Sequence, residues 1–182
     1  KGLIYNVDVA ANALTSIINK LQNQLGSKIA KVYVGVGGQS MHTVKNCISR
    51  TLNEGDKISQ ELIDELYKEN LASICDETTI LEVVPQEYIA DNHTEVNPVG
   101  IVAQNITAQY MNIVARSILK SNLERSLEQV GITMADLILS PLAQTKSILT
   151  DSEMRSGCAI VDFGADTTTL SIYKNNLLRF LC

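Results

Sequence analysis

Tryptophan is absent from this sequence and phenylalanine occurs only twice, so a surface that stacks single-stranded bases on aromatic rings is poorly supplied. A basic stripe is missing too. The 15 Lys and Arg residues are scattered and outnumbered by 20 Asp and Glu, leaving a net charge of -5, which excludes nucleic acid and an anionic membrane surface as obvious partners. No apolar run approaches the roughly 20 residues that span a bilayer, and no charged leader with an apolar core opens the chain. The four cysteines (Cys47, Cys75, Cys158 and Cys182) form no CxxC pair. That argues against a cysteine zinc site and for reduced, mostly buried thiols in a cytosolic setting. The sequons at Asn92 and Asn105 are then chance occurrences.

Common catalytic signatures are also missing. There is no G-x-x-x-x-G-K-[ST], H-E-x-x-H or G-x-S-x-G. Gly35-Val36-Gly37-Gly38 follows a strand pattern, but G-x-G-x-x-G fails at Ser40 and no helix pattern follows it. His42 and His93 are the only imidazoles, and neither has neighbours that would make it a base. Glu61, Asp64 and Glu65 read as a solvated helix face and Asp76-Glu77 as a loop. What is present is an ordinary folded composition, 45% apolar with a mean hydropathy of +0.06. Its 182 residues suffice for one large domain or a small domain inserted in another. The start at Lys1 and the end at Cys182, within the strand-like run 177–182, read as an excised piece.

Periodicity orders the elements. Asn6 or Asp8 caps a helix whose Ala10, Leu14, Ile17, Ile18, Leu21 and Leu25 recur at helical spacing up to Gly26. Val32, Val34 and Val36 alternate in a strand ending at Gly37-Gly38, and residues 40–52 form a second. Ser59 caps the next helix, with Ile58 and Ile63 as a hydrophobic staple and Leu62, Leu66 and Leu71 as the buried face. Residues 80–90 are extended, with Pro85 at an edge or bulge. A polar loop covers 92–100, and 101–115 is extended again. Ser117 caps a helix bearing Leu119, Leu123, Leu127 and Val130, closed by Gly131. A short strand at 136–139 and a helix begun by Ser140-Pro141 follow, then a polar stretch at 151–156.

Residues 157–173, GCAIVDFGADTTTLSIY, carry the chemistry. A continuous apolar strand, expected to be buried on both faces, ends on Asp162. Gly164, Asp166, Thr167 and Thr168 follow, then a second strand and an Asn175-Asn176 turn. Small residues let backbone N–H groups approach a phosphate closely, and a carboxylate at the strand end can hold Mg²⁺. A plain β-hairpin turn accounts for the same residues, so the wider sequence has to decide.

That wider sequence resembles the FtsA family of actin-like bacterial cell-division proteins. The likeness runs from Lys1-Gly2 before the first helix through Val32-Tyr33-Val34-Gly35-Val36, Val84-Pro85-Gln86-Glu87-Tyr88, Asn97-Pro98-Val99-Gly100, Val130-Gly131 and Asp162-Phe163-Gly164. It implies an α/β fold, part of an actin-like ATPase, with an inserted α+β SHS2 (strand-helix-strand-strand) module. Residues 1–30 and 107–156 would belong to the first actin-like subdomain, 31–106 to the SHS2 insert and 157–182 to the start of the second half. Asp162, Gly164, Asp166 and Thr167 would take the positions of the second phosphate loop, Asp162 being the candidate for Mg²⁺.

The resemblance further implies ATP and Mg²⁺ as cofactors of the whole protein. Its partners would be further copies of itself in a filament, FtsZ and later division proteins. Its place would be the cytoplasmic face of the inner membrane at the division site, reached through a C-terminal amphipathic helix that these residues lack. Asp166 stands where relatives commonly carry glycine and brings negative charge near phosphate. The first phosphate loop and the adenine-binding segment are also absent. The chain alone is therefore expected to bind no ATP and to act as an assembly module, not an enzyme. The rivals are a sugar or acetate kinase or chaperone ATPase of the same superfamily, and a pilus-assembly relative of FtsA. VPQEY and NPVG favour FtsA over the last.

Overall fold

The computed structural model describes residues 2–73 and 77–182. The expectations for Lys1, Cys75 and Asp76 lie outside the described residues.

Helix α1 (Val7–Leu25) starts where Asn6 Oδ1 accepts the Val9 N–H and stops at Gly26, whose φ of 65° suits a left-handed cap. It leads into β1 (Lys31–Val36), whose valines point inward alternately as the period-two pattern requires. β1 pairs in parallel with the later strand Thr133–Leu139. The apolar stripe of α1 is only partly covered. Ala11 and Ile18 are buried, Ile18 packing with Leu127 and Ile132, while Ile17, Leu21 and Leu25 are exposed.

The insert begins with β2 (His42–Thr51) and α2 (Gln60–Ala72) and continues with β3 (Thr78–Ala90), β4 (His93–Glu95) and β5 (Asn105–Arg116). The strands make one antiparallel sheet in the order β2-β5-β3-β4. α2 is capped by Ser59, whose Oγ accepts the Leu62 N–H, and the staple pair Ile58 and Ile63 is buried. Its buried face differs from expectation in one residue. Leu71 is 45% exposed while Asn70 is fully buried, because the i, i+3, i+7 positions facing the sheet fall on Ile63, Leu66 and Asn70.

Pro85 pairs with Tyr110, and the register then slips so that Tyr88 faces Ala108. Three residues of β3 therefore span two of β5, a bulge where a residue without an N–H is tolerated. β5 runs unbroken through residues 105–116, paired with β2 and β3 along its length, so the strand crosses position 106/107 without interruption.

The polar stretch 92–100 is not loop throughout but contains a short strand. Asp91 and Asn92 take φ of 45° and 77°, and β4 folds back on β3 with Ala90 facing His93. Such two-residue turns favour Asn and Asp. The Asp91 carboxylate accepts the backbone N–H groups of Gln104 at 2.9 Å and Asn105 at 2.8 Å, which hold it below the usual carboxylate range. A depressed folded pKa stabilises fully above the unfolded value of about 3.9 and loses that contribution as pH falls through the lower folded one. Melting temperatures taken from neutral pH down to about pH 2 should therefore drop less steeply for Asp91→Asn than for the parent below about pH 4. Parallel curves would refute the role.

Beyond the insert come α3 (Ser117–Val130), β6 (Thr133–Leu139), α4 (Ser140–Ile148) and α5 (Asp151–Ser156), then β7 (Cys158–Phe163), β8 (Thr168–Lys174) and β9 (Leu177–Leu181) in an antiparallel sheet of that order. Arg116 and Leu139 hold the cap positions of α3 and α4, so Ser117 and Ser140 are first helical residues rather than caps, and Pro141 is second. Residues 151–156, read as merely polar, are helical because Thr150 and Glu153 cap each other reciprocally.

β7 is not buried on both faces. Ala159, Val161 and Phe163 alternate outward and Phe163 is 81% exposed, because the three-stranded sheet is packed on one side only. That side, with Tyr173, Leu178 and Leu181, shares a core with Val36, Met41, Ile113 and Leu139. The cysteines among the described residues are free, yet Cys47 and Cys182 are exposed and Cys158 half-buried, so the expectation of mostly buried thiols does not hold. Among the described residues no helix is long and apolar enough to cross a membrane.

Candidate functional site

The turn between β7 and β8 is where the sequence places its chemistry. Phe163 and Thr168 form the last ladder pair, and residues 164–167 close the hairpin through the Gly164 N–H, which donates to the Thr167 carbonyl at 2.8 Å. A Cβ on Gly164 would lie 2.9 Å from that oxygen, so close backbone approach requires glycine here.

Asp162 precedes the turn, paired across the ladder with Thr169. Its Oδ2 accepts a hydrogen bond from Gln144 Nε2 on α4 at 2.8 Å, which fixes the carboxylate against the helix. A second tight approach faces this turn. Gly2, with φ of 77°, sits so close to the Gly37-Gly38 turn that a Cβ would meet Gly38 Cα at 2.9 Å.

Between these turns and the start of α4 lies a cavity of about 230 Å³ lined by Gly37, Gly38, Ser140, Asp162, Asp166 and Thr167, together with Gly2, Pro141 and Thr169. The structure thus brings Asp162, Asp166 and Thr167 together, while Gly164 shapes the turn without lining the cavity. Gln144 and Thr169 join the site only in three dimensions. Gln144 lies within an unremarkable helix pattern, whereas Thr169 could have been found by strand alternation from Asp162 across the hairpin. His42 and His93 are exposed and away from this cavity, and Glu61, Asp64 and Glu65 are exposed on α2.

Among the described residues the lining carries two carboxylates and no Lys, Arg or His. A bare phosphate would be repelled. The carboxylates of Asp162 and Asp166 and the hydroxyls of Ser140, Thr167 and Thr169 are hard oxygen donors of the kind that suits Mg²⁺ with water completing its shell. Among the described residues no group of three or more His, Cys, Asp and Glu gathers at one point, so any Mg²⁺ held here would keep much of its coordination from water and phosphate.

The family described as "SHS2 domain inserted in FTSA" matches residues 38–114. This chain carries the SHS2 domain of the FtsA family. Around that domain the likeness covers nearly the whole chain. The cell division protein FtsA of Porphyromonas gingivalis is 31% identical over 99% of this chain and 38% of that protein. The FtsA of Streptococcus pneumoniae is 26% identical over 98% and 40%, and that of Escherichia coli 25% identical over 98% and 43%. The chain therefore spans about two fifths of the length of these curated relatives.

Among solved structures, a chain of the PilM-PilN type IV pilus biogenesis complex superposes with a TM-score of 0.61 at 13% identity, over all of this chain and 49% of that one. That likeness is one of fold and leaves the sequence kinship with FtsA as it stands. The fold is the α/β one anticipated, part of an actin-like architecture with an inserted SHS2 module. The matched segment 38–114 ends within β5.

Proposed function

We propose that this chain is the assembly-bearing part of an actin-like cell-division protein that forms filaments and ties FtsZ to the inner membrane. Its SHS2 module makes protein contacts, and residues 162–167 form one wall of a Mg²⁺-nucleotide site. The observation that carries the reading is the pairing, in one chain, of an FtsA SHS2 domain with a cavity at a glycine turn into which Asp162, Asp166 and Thr167 are gathered. In this reading Asp162, steadied by Gln144, would hold Mg²⁺ directly or through water, and Thr167 would donate to a phosphate oxygen. Asp166 would weaken the anion's hold unless the metal lies between them. Bound Mg²⁺ would supply the positive charge that the lining lacks. The chain contributes binding and assembly, not turnover, and it has only part of the site.

Isothermal titration of MgATP into this chain should give no saturable binding. The same titration into a chain extended to the length of the FtsA relatives should show binding that Asp162→Asn weakens at least tenfold, about 1.4 kcal/mol. Tight binding by the 182-residue chain alone, or phosphoryl transfer by it, would overturn the reading. Co-sedimentation and crosslinking of the extended chain with itself and with FtsZ test the assembly part.

A further inference from the structure

The segment VPQEY marks the bulge in β3, and nothing in the nucleotide reading uses it. At that bulge Gln86 and Glu87 fall between the ladder pairs of Pro85 and Tyr88, which frees their side chains to reach outside the sheet. Both reach β9. Gln86 Nε2 donates to the Leu178 carbonyl at 3.1 Å, and Gln86 Oε1 accepts from Arg179 Nη1 at 3.0 Å. Arg179 Nη2 donates to Glu87 Oε1 at 3.1 Å, and its Nε to the Lys174 carbonyl at 3.3 Å, on the far side of the Asn175-Asn176 turn.

One half-buried guanidinium thus joins the β8–β9 turn to the β3 bulge with all three nitrogens engaged. A planar fork suits this and an ammonium does not. A second tie comes from the other side of the SHS2 sheet. Thr43 Oγ1 on β2 accepts the Leu181 N–H at 3.1 Å and donates to the Leu181 carbonyl at 3.3 Å. Next along the chain, Cys182 and Leu170 exchange both backbone hydrogen bonds, at 3.0 and 2.9 Å, and the residue before Leu170 is Thr169, which faces Asp162.

We infer that Arg179, Gln86 and Glu87 form a latch that makes the SHS2 sheet and the β7–β9 sheet one mechanical body, coupling the 164–167 turn to the protein-contact module. The three are positioning residues: none of them lines the cavity at the 164–167 turn. A ligand that orders the turn thereby stiffens the β3 bulge, and by linkage a partner on the module reciprocally orders the turn. The naming of that ligand as a nucleotide and of the module as a protein-contact surface rests on the proposed function; the coupling itself does not.

Amide hydrogen exchange on this chain, without nucleotide, tests it. Glu87→Gln keeps the shape and lies wholly in the module. It should nonetheless raise exchange of the Leu170 and Cys182 amides. Arg179→Ala should raise exchange about tenfold both there and across residues 84–88, the loss of charge-assisted bonds at a partly exposed site. Arg179→Lys should recover less than half of that protection, while α1 and α3 stay unchanged. Should Arg179→Ala unfold the chain, Glu87→Gln and Gln86→Ala decide. Exchange that rises only in β3 for Glu87→Gln, or only in β9 for Arg179→Ala, overturns the latch whatever the outcome of nucleotide titration.

Discussion

Leu66→Ala should destabilise the SHS2 insert by about 2–5 kcal/mol, enough to remove a large share of the 5–15 kcal/mol by which a typical domain is stable. Leu66 has no exposed surface and packs among Ile58, Ile63, Val83, Ile106 and Tyr110, where α2 lies on the sheet. The sheet is continuous beneath it and both staple residues of α2 are buried, so neither neighbour can collapse into the space and the cavity term adds to the lost transfer energy.

The insert has its own core, distinct from the one shared by β7–β9 and β6, and the damage should show there first. The absence of tryptophan makes this readable. Near-ultraviolet signals come from tyrosine, and Tyr67 and Tyr110 meet edge to face with centroids 6.1 Å apart inside the insert. Thermal melts followed by tyrosine ellipticity should shift downward for Leu66→Ala. Val161→Ala, at an exposed position of β7, should leave them within about 0.5 kcal/mol of the parent. Equal effects from both would show that the insert core has been misassigned.

Local rules carried much of this fold. Caps at Asn6 and Ser59, the glycine stops at Gly26 and Gly131 and the alternation of Val32, Val34 and Val36 are decisions the chain makes within a few residues, and the structure follows them. Tertiary decisions were not legible in this way. β7 reads as doubly buried because alanine, isoleucine and valine follow one another, yet which face is covered depends on packing elsewhere in the chain. α5 is not legible from periodicity although T-x-x-E is a local signature, because five polar residues around the single Met154 give no apolar period.

The candidate site divides along the same line. Asp162 and the small residues after it were visible, because a carboxylate at a strand end before glycine is a local pattern. The approach of Gly2 and Gly37-Gly38 to that turn, and the bond from Gln144, bring together residues more than a hundred positions apart or on separate elements. Arg179 is the same case: an ordinary cation in the sequence, it acquires a role only because the β3 bulge turns Gln86 and Glu87 toward it.

Asn70 and Asn112 supply the second large effect. Asn70 sits at the α2 position where periodicity calls for an apolar residue, and Asn112 lies on β5 directly beneath it. Both are essentially unexposed. Each amide donates to the other's oxygen at 2.8 Å, and Asn46 adds a donor to Asn70 Oδ1 at 3.0 Å while also donating to Ser73 Oγ at 2.8 Å. A buried reciprocal pair is satisfied only when both members are present, and only when α2 lies in one register over the sheet. Asn112→Leu alone strands the Asn70 amide in the core, which should cost about 1–3 kcal/mol. Asn70→Leu does the same to Asn112. The double leucine variant removes both orphans and should be less destabilised than the sum of the singles, with a coupling of about 1 kcal/mol or more in a double-mutant cycle by chemical denaturation. Additive costs would mean that each amide finds water or another partner on its own. A recovered stability with a broadened, less cooperative transition would show that the pair serves to choose the seating of α2 on the sheet.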